Sequence, residues 1–205
     1  MTAFSFYVRV VKALDEIGAP YMIVGAFGGY PFGISRVTYD IDILVDLHEQ
    51  DFDALSQAFP LPRYYADPEM MRNSVAMGIM FNIIDTGEGV KADLVPLKRE
   101  PEYQVAFERR IRRKFTVSSG ETFEAWVAQP TDIIIGKLRA WDEGRSLKHP
   151  NDILSILVFC LSGLSEYSVD TDIVTTASAR IGQETLEMWN QLVARAQAEA
   201  VAGAR

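Results

Sequence analysis

Val8, Val11, Leu14 and Ile17 recur at helical spacing and the pattern stops at Gly18-Ala19-Pro20, which predicts an opening helix. The short run Tyr21-Met22-Ile23-Val24 predicts a strand that ends at Gly25. Residues 25–32 are too rich in glycine for a strong helix unless something there requires close backbone approach. From Tyr39 to Val45, Asp40 and Asp42 alternate with Ile41 and Ile43, the period of a strand with one polar and one buried face. A helix from about Gln50 to Phe59 follows. Met77 to Ile84 and Val90 to Val95 are further strand candidates, and Asp85-Thr86-Gly87-Glu88-Gly89 between them predicts an antiparallel hairpin.

Glu102 to Arg113 is expected as a basic-ended helix, and Lys114 to Val117 with Thr122 to Val127 frame Ser118-Ser119-Gly120-Glu121 as a second hairpin. Beyond Pro130 the strand signals stop. Helices are expected over Thr131 to Glu143, capped by Thr131 or Asp132 and ended by Gly144, then Asn151 to Leu161, Asp170 to Ile181 and Glu184 to Ala200, with a frayed tail from Ala196. The predicted fold class is α+β. A mixed sheet flanked by helices forms a core domain, residues 1–129, and a helical C-terminal region follows, residues 130–205.

The chain has 205 residues, 48% hydrophobic and 23% charged, a composition that excludes disordered, collagenous and disulfide-rich classes. Its net charge of -8 makes non-specific nucleic-acid binding unexpected. The single cysteine, Cys160, lies in the apolar run Ile156 to Leu161 and is read as core filling, which suits a reducing cytoplasm. Met1 to Phe6 lacks the form of a signal peptide, and Ile153 to Leu164 is too short for a membrane helix. A cytoplasmic protein with no membrane partner is expected.

Asp40, Asp42 and Asp93 each interrupt a strand that otherwise has a buried pattern. Asp40 and Asp42 leave one face of their strand about 7 Å apart, and Asp93 in Lys91-Ala92-Asp93-Leu94-Val95 would add an oxygen from another strand. Such carboxylates repel one another unless a cation neutralises them. An oxygen-only set favours magnesium or manganese over zinc. Upstream, Val24-Gly25-Ala26 ends a strand and opens a helix, offering backbone N–H groups to phosphate, while Arg36 precedes the Asp40 strand and is a second candidate for phosphate charge. The glycine spacing fits neither a Walker loop nor a dinucleotide fingerprint.

Val24-Gly25-Ala26, a thirteen-residue spacer and Asp40-Ile41-Asp42-Ile43, with Asp93 downstream, resembles the signature of the polymerase-beta type nucleotidyltransferase superfamily. The similarity is closest to small bacterial nucleotidyltransferase-like proteins related to AbiE-type abortive-infection toxins. It rests also on Gly33-Ile34-Ser35-Arg36-Val37-Thr38-Tyr39, Phe81-Asn82-Ile83-Ile84-Asp85, Lys137-Leu138, Lys148 and Asn151-Asp152-Ile153. The resemblance implies a nucleotidyltransferase-type sheet and transfer of a nucleoside monophosphate from a nucleoside triphosphate to an acceptor hydroxyl on tRNA, a protein or a small molecule such as an aminoglycoside. It further implies magnesium or manganese held by Asp40, Asp42 and Asp93, Asp93 aligning the attacking hydroxyl, and Gly25, Ala26, Arg36 and Lys137 contacting the nucleotide. Asp152 takes a structural role, and an antitoxin becomes a partner if the protein is a toxin.

Ala26 stands where that family has a second glycine or a serine, so a hydroxyl donor to phosphate is missing. The alternative is a catalytically silent nucleotide-binding or toxin-antitoxin component acting through protein contact. Arg109, Arg110, Arg112, Arg113 and Lys114 form the one dense basic patch, which either complements a helix end or guides an RNA acceptor. Tyr64, Tyr65, Trp126, Trp141 and Trp189 are read as packing groups. His48 and His149 are expected at the surface, as are Asp142, Glu143 and, by default, Asp152.

Overall fold

The computed structural model describes residues 3–99, 101–116, 122–163 and 166–203. Two compact units are present: Met1–Phe27 with Val37–Ala128, and Gly28–Arg36 with Gln129–Arg205. Together they realise the α+β class, with the described strands in the first unit and a helical C-terminal region in the second.

The strands of the first unit are β1 (Tyr21–Ile23), β2 (Asp40–Val45), β3 (Tyr64–Tyr65), β4 (Phe81–Asp85), β5 (Val90–Pro96), β6 (Ile111–Thr116) and β7 (Thr122–Val127). They form one sheet in the order β3-β4-β5-β2-β1-β7-β6. β2 pairs parallel with β5 and β1 parallel with β7, while the other neighbours run antiparallel. Alternation makes the central strands two-faced, and Ile41, Ile43, Ile83, Ala92 and Leu94 are fully buried. The helices are α1 (Ala3–Ile17), α2 (Gly25–Gly28, continuing into the second unit), α3 (Glu49–Ala58), α4 (Pro68–Met77) and α5 (Gln104–Glu108). α1 buries Phe6, Val10, Val11 and Leu14 and packs on α3 and β5. Each such side chain contributes roughly 1.5–3 kcal/mol. The Phe6 ring meets Phe59 edge-on at 6.2 Å and stacks on Tyr64 at 6.1 Å.

The second unit joins a 3-10 turn at Tyr30–Phe32 to α6 (Pro130–Gly144), α7 (Lys148–Leu161), α8 (Thr171–Ile181) and α9 (Gln183–Gly203). Gly33, at φ +95°, lies so near α7 that a β-carbon there would come within 2.6 Å of Phe159 Cβ. Trp189 is buried and its indole N–H donates to Thr175 Oγ1 at 2.9 Å.

Several expectations need correction. The helix expected over Glu102 to Arg113 is a 3-10 turn followed by α5, which ends at Glu108, and β6 begins at Ile111. Arg112, Arg113 and Lys114 therefore lie on successive positions of a strand paired with β7, and Arg109 and Arg110 precede it. The turn expected at Ser118 to Glu121 lies outside the described residues, although β6 and β7 do pair antiparallel. The strand expected from Met77 starts at Phe81, because α4 occupies the preceding residues. That helix has no counterpart in the hydrophobic patterning, yet Asp67 caps it by accepting the Met70 N–H at 2.7 Å, Pro68 opens it and Gly78 ends it at φ +65°. In α6, Pro130 takes the first helical position with Gln129 as the cap residue, so Thr131 and Asp132 lie inside the helix, and Arg145 adopts the left-handed end at φ 52°. α9 continues as helix to Gly203 with Ala196 buried, so no frayed tail begins there.

Candidate functional site

β2 and β5 bring the predicted carboxylates onto adjacent strands. In their parallel register Asp42 is paired with Asp93 and Asp40 with Lys91. Across the hairpin Asn82 on β4 is paired with Asp93, and Ile84 with Lys91. Register partners and residues two apart share a sheet face, so Asp40, Asp42, Asn82, Lys91 and Asp93 form one polar face above a buried apolar one. Asp40 and Asp42 are half-buried and Asp93 is buried.

This face carries its own donors. The Thr38 hydroxyl donates to Asp40 Oδ1 at 2.6 Å. Asn82 Nδ2 donates to Asp93 Oδ1 at 2.5 Å, and Lys91 Nζ reaches both Asp93 oxygens at 2.7 and 2.6 Å. Sequence patterning singles out none of these three partners. Two are accessible to it, since Lys91 lies two residues before Asp93 on the same strand, and a hairpin closing at Asp85 and Val90 sets Asn82 opposite Asp93.

Gly25 explains the glycine that follows β1. It has φ +67°, and an ideal β-carbon there would lie 2.0 Å from Asp42 Oδ2. The Val24 N–H donates to the Asp42 carbonyl at 2.9 Å, which fixes this approach. Ala26, buried, follows in the single helical turn α2.

Arg36 and Lys137 lie together in the second unit. Both grip Asp152: Arg36 through Nε to Oδ1 at 2.8 Å and Nη2 to Oδ2 at 3.0 Å, Lys137 through Nζ to Oδ2 at 2.6 Å. Lys137 and Asp152 are both buried, so Asp152 is no exposed helix charge. Burial pushes the Asp152 carboxyl up, but the bonds from Arg36 and Lys137 outweigh it and hold it below the usual carboxylate range. His149, expected at the surface, is half-buried, and its Nδ1 is buried with no hydrogen-bond partner. Burial, then Lys137 and Lys148, push its pKa down to about 4.

The other singled-out groups take structural parts. Arg112 donates to Asp15 at 3.2 Å and faces Glu124 at 3.6 Å, while the Arg110 guanidinium lies 4.3 Å from the Phe107 ring centre and 5.1 Å from that of Trp126. Asp85, fully buried, accepts from Arg63 at 2.8 Å and from the Gly87 and Glu88 N–H groups, closing the β4–β5 turn. Asp142 accepts from Thr185 and Arg145, and His48 caps α3.

Among the described residues, no three Asp, Glu, His or Cys side chains are gathered closely enough to hold a metal ion together. The donors on the β2–β5 face are nevertheless hard oxygens on neighbouring strands, with backbone space cleared beside Asp42 by Gly25. That donor chemistry fits magnesium or manganese. No helix among the described residues is long and apolar enough to cross a membrane.

No family model matches the chain, and no curated protein matches it. Among solved structures it is similar to an antigenic nucleotidyltransferase-like protein from Paracoccidioides brasiliensis, at 16% identity and a TM-score of 0.49 over 91% of this chain and 90% of that one. It is also similar to the antibiotic-resistance factor ANT(2'')-Ia, at 15% identity and a TM-score of 0.44 over 97% and 92% of the two chains. A third similar structure is a CCA-adding enzyme in complex with ATP, at 14% identity and a TM-score of 0.36 over 91% of this chain and 46% of that one.

Proposed function

We propose that the protein is a metal-dependent nucleotidyltransferase that passes a nucleoside monophosphate from a nucleoside triphosphate to an acceptor hydroxyl. The observation that carries this reading is the in-register pairing of Asp42 with Asp93 on parallel neighbours, with Asp40 two residues earlier on the same face. Gly25 supports it, because the motif glycine clears the Asp42 carboxylate. The motif resemblance supplies the reaction class.

Asp40 and Asp42 would hold magnesium or manganese together with the triphosphate, and Asp93 would be a further metal ligand that also aligns the acceptor hydroxyl. When bound, the metal supplies positive charge to the attacking and leaving oxygens. The acceptor oxygen bonds to the α-phosphorus as the bond to the bridging oxygen breaks; pyrophosphate leaves with that electron pair, and the hydroxyl proton passes to Asp93. Gly25 and Ala26 would offer backbone N–H groups to phosphate. Positioning and charge account for most of the acceleration, since phosphoryl transfer asks little covalent help of the protein.

The alternative is a silent nucleotide-binding or toxin-antitoxin component. It is favoured by Ala26, which brings no hydroxyl, and by the commitment of Arg36 and Lys137 to Asp152. Thermal shift separates metal-bridged nucleotide binding from both its absence and metal-free binding. The melting temperature should rise with a nucleoside triphosphate in magnesium or manganese and stay unchanged with it in chelator. Equal stabilisation in chelator would remove the metal from the account. Label from an α-labelled triphosphate, followed into RNA, protein and small-molecule fractions, then separates enzyme from silent binder and identifies the acceptor.

A further inference from the structure

Lys91 stands inside the carboxylate face rather than beside it. It is paired with Asp40 across β2–β5 and with Ile84 across β4–β5, and it shares its strand face with Asp93. Its side chain folds along the strand so that Nζ contacts both Asp93 oxygens, with the lysine side chain 45% exposed and that of Asp93 8%. Asn82 donates to the same carboxylate. Three carboxylates and one ammonium give this face a formal charge of -2, and the ammonium sits on the residue to which the proposed mechanism assigns the acceptor. A divalent ion binding Asp93 must displace that ammonium. The half-exposed lysine can swing its ammonium into solvent, while the buried Asp93 carboxylate needs a cation in its place, which the divalent ion supplies.

We infer that Lys91 is an exchanging counter-ion: it neutralises Asp93 while the face lacks metal, yields Asp93 to the divalent ion, and then pairs with the phosphate oxygens of the incoming triphosphate. The inference rests on the metal-dependent reading of this face. It makes Lys91 a residue that opposes metal binding and favours nucleotide binding. A structural lysine would not move the two affinities in opposite directions.

Manganese binding, read from the electron paramagnetic resonance signal of the free ion, and ATP binding at saturating manganese, read by calorimetry, test this on the full chain. Lys91→Met keeps the length and removes the charge, Lys91→Gln is a second neutral variant, and Lys91→Arg keeps the charge. Relative to the wild type, both neutral variants should bind manganese alone about tenfold more tightly and ATP about tenfold more weakly, with Lys91→Arg close to wild type. The manganese gain should vanish when Asp93→Asn is added. Asp42-dependent manganese binding by the wild type with both affinities unmoved in the neutral variants would overturn the role of Lys91 and leave the metal reading standing. A shift of both affinities in the same direction would also overturn it. No Asp42-dependent manganese binding in any variant would overturn both. Manganese binding that appears only in the neutral variants would show that Lys91 does not yield Asp93 in the wild type, and would overturn the exchange.

Discussion

Gly25 and Asp42 approach so closely that no side chain larger than hydrogen fits at position 25 while the Asp42 carboxylate keeps its place. The glycine of the sequence motif is thus tied to a carboxylate on β2 by contact within the first unit. Gly25→Ala should therefore cost more than a left-handed backbone alone. Gly89, at φ +65° with open space where a β-carbon would lie, provides the comparison. Gly89→Ala should lose about 1–2 kcal/mol for its conformation, and Gly25→Ala roughly 1–3 kcal/mol more for the collision. Chemical denaturation measures both, and the extra loss should shrink in an Asp42→Ala background. Equal losses for the two alanines would show that position 25 carries no steric demand.

Asp152→Asn should be the most damaging single change in the second unit. It leaves Lys137 buried opposite a neutral amide, and breaking a buried ion pair on one side costs about 3–5 kcal/mol. The pH sign follows from a carboxyl held below its ordinary value of 3.8. Its stabilisation is complete above that ordinary value and is lost as pH falls through the lower folded value. Acid denaturation curves of the wild type and Asp152→Asn should accordingly converge at low pH. Parallel curves down to the acid limit would contradict the assignment.

His149 acts in a milder range. Its folded pKa of about 4 lies below the ordinary 6.5, so the folded state binds fewer protons than the unfolded one between them. Stability should be full above 6.5 and fall as pH drops toward 4. His149→Gln should flatten that part of the melting-temperature profile. A profile as steep as the wild type's would place the titrating group elsewhere.

Elements whose pattern is set by local chemistry are legible in the sequence. The β2 alternation, the β4–β5 hairpin and the helix expected from Asp170 to Ile181 follow from residues within a few positions of one another. Asp40, Asp42 and Asp93 are legible as candidates for the same reason, each breaking an apolar strand. What stays hidden depends on distant contact. The Gly25 approach to Asp42 requires β1 beside β2, and the Asp152 clamp joins residue 36 to residues on α6 and α7. The helix expected through Arg113 fails because basic residues suit either a helix end or a strand edge, and pairing with β7 decides for the strand. His149 escapes a sequence reading because its burial follows from tertiary packing.

The most direct test of the central claim is nucleotidyl transfer by the wild type and Asp93→Asn, measured as label passed from an α-labelled triphosphate to RNA, protein or small-molecule acceptors, beside nucleotide binding. The wild type should transfer label only with magnesium or manganese. Asp93→Asn should keep triphosphate affinity nearly unchanged yet lose a hundredfold or more in transfer, about 2.7 kcal/mol of transition-state stabilisation. Equal transfer by the two proteins, or no transfer by the wild type to any acceptor fraction, would contradict the assignment of catalysis to this carboxylate face.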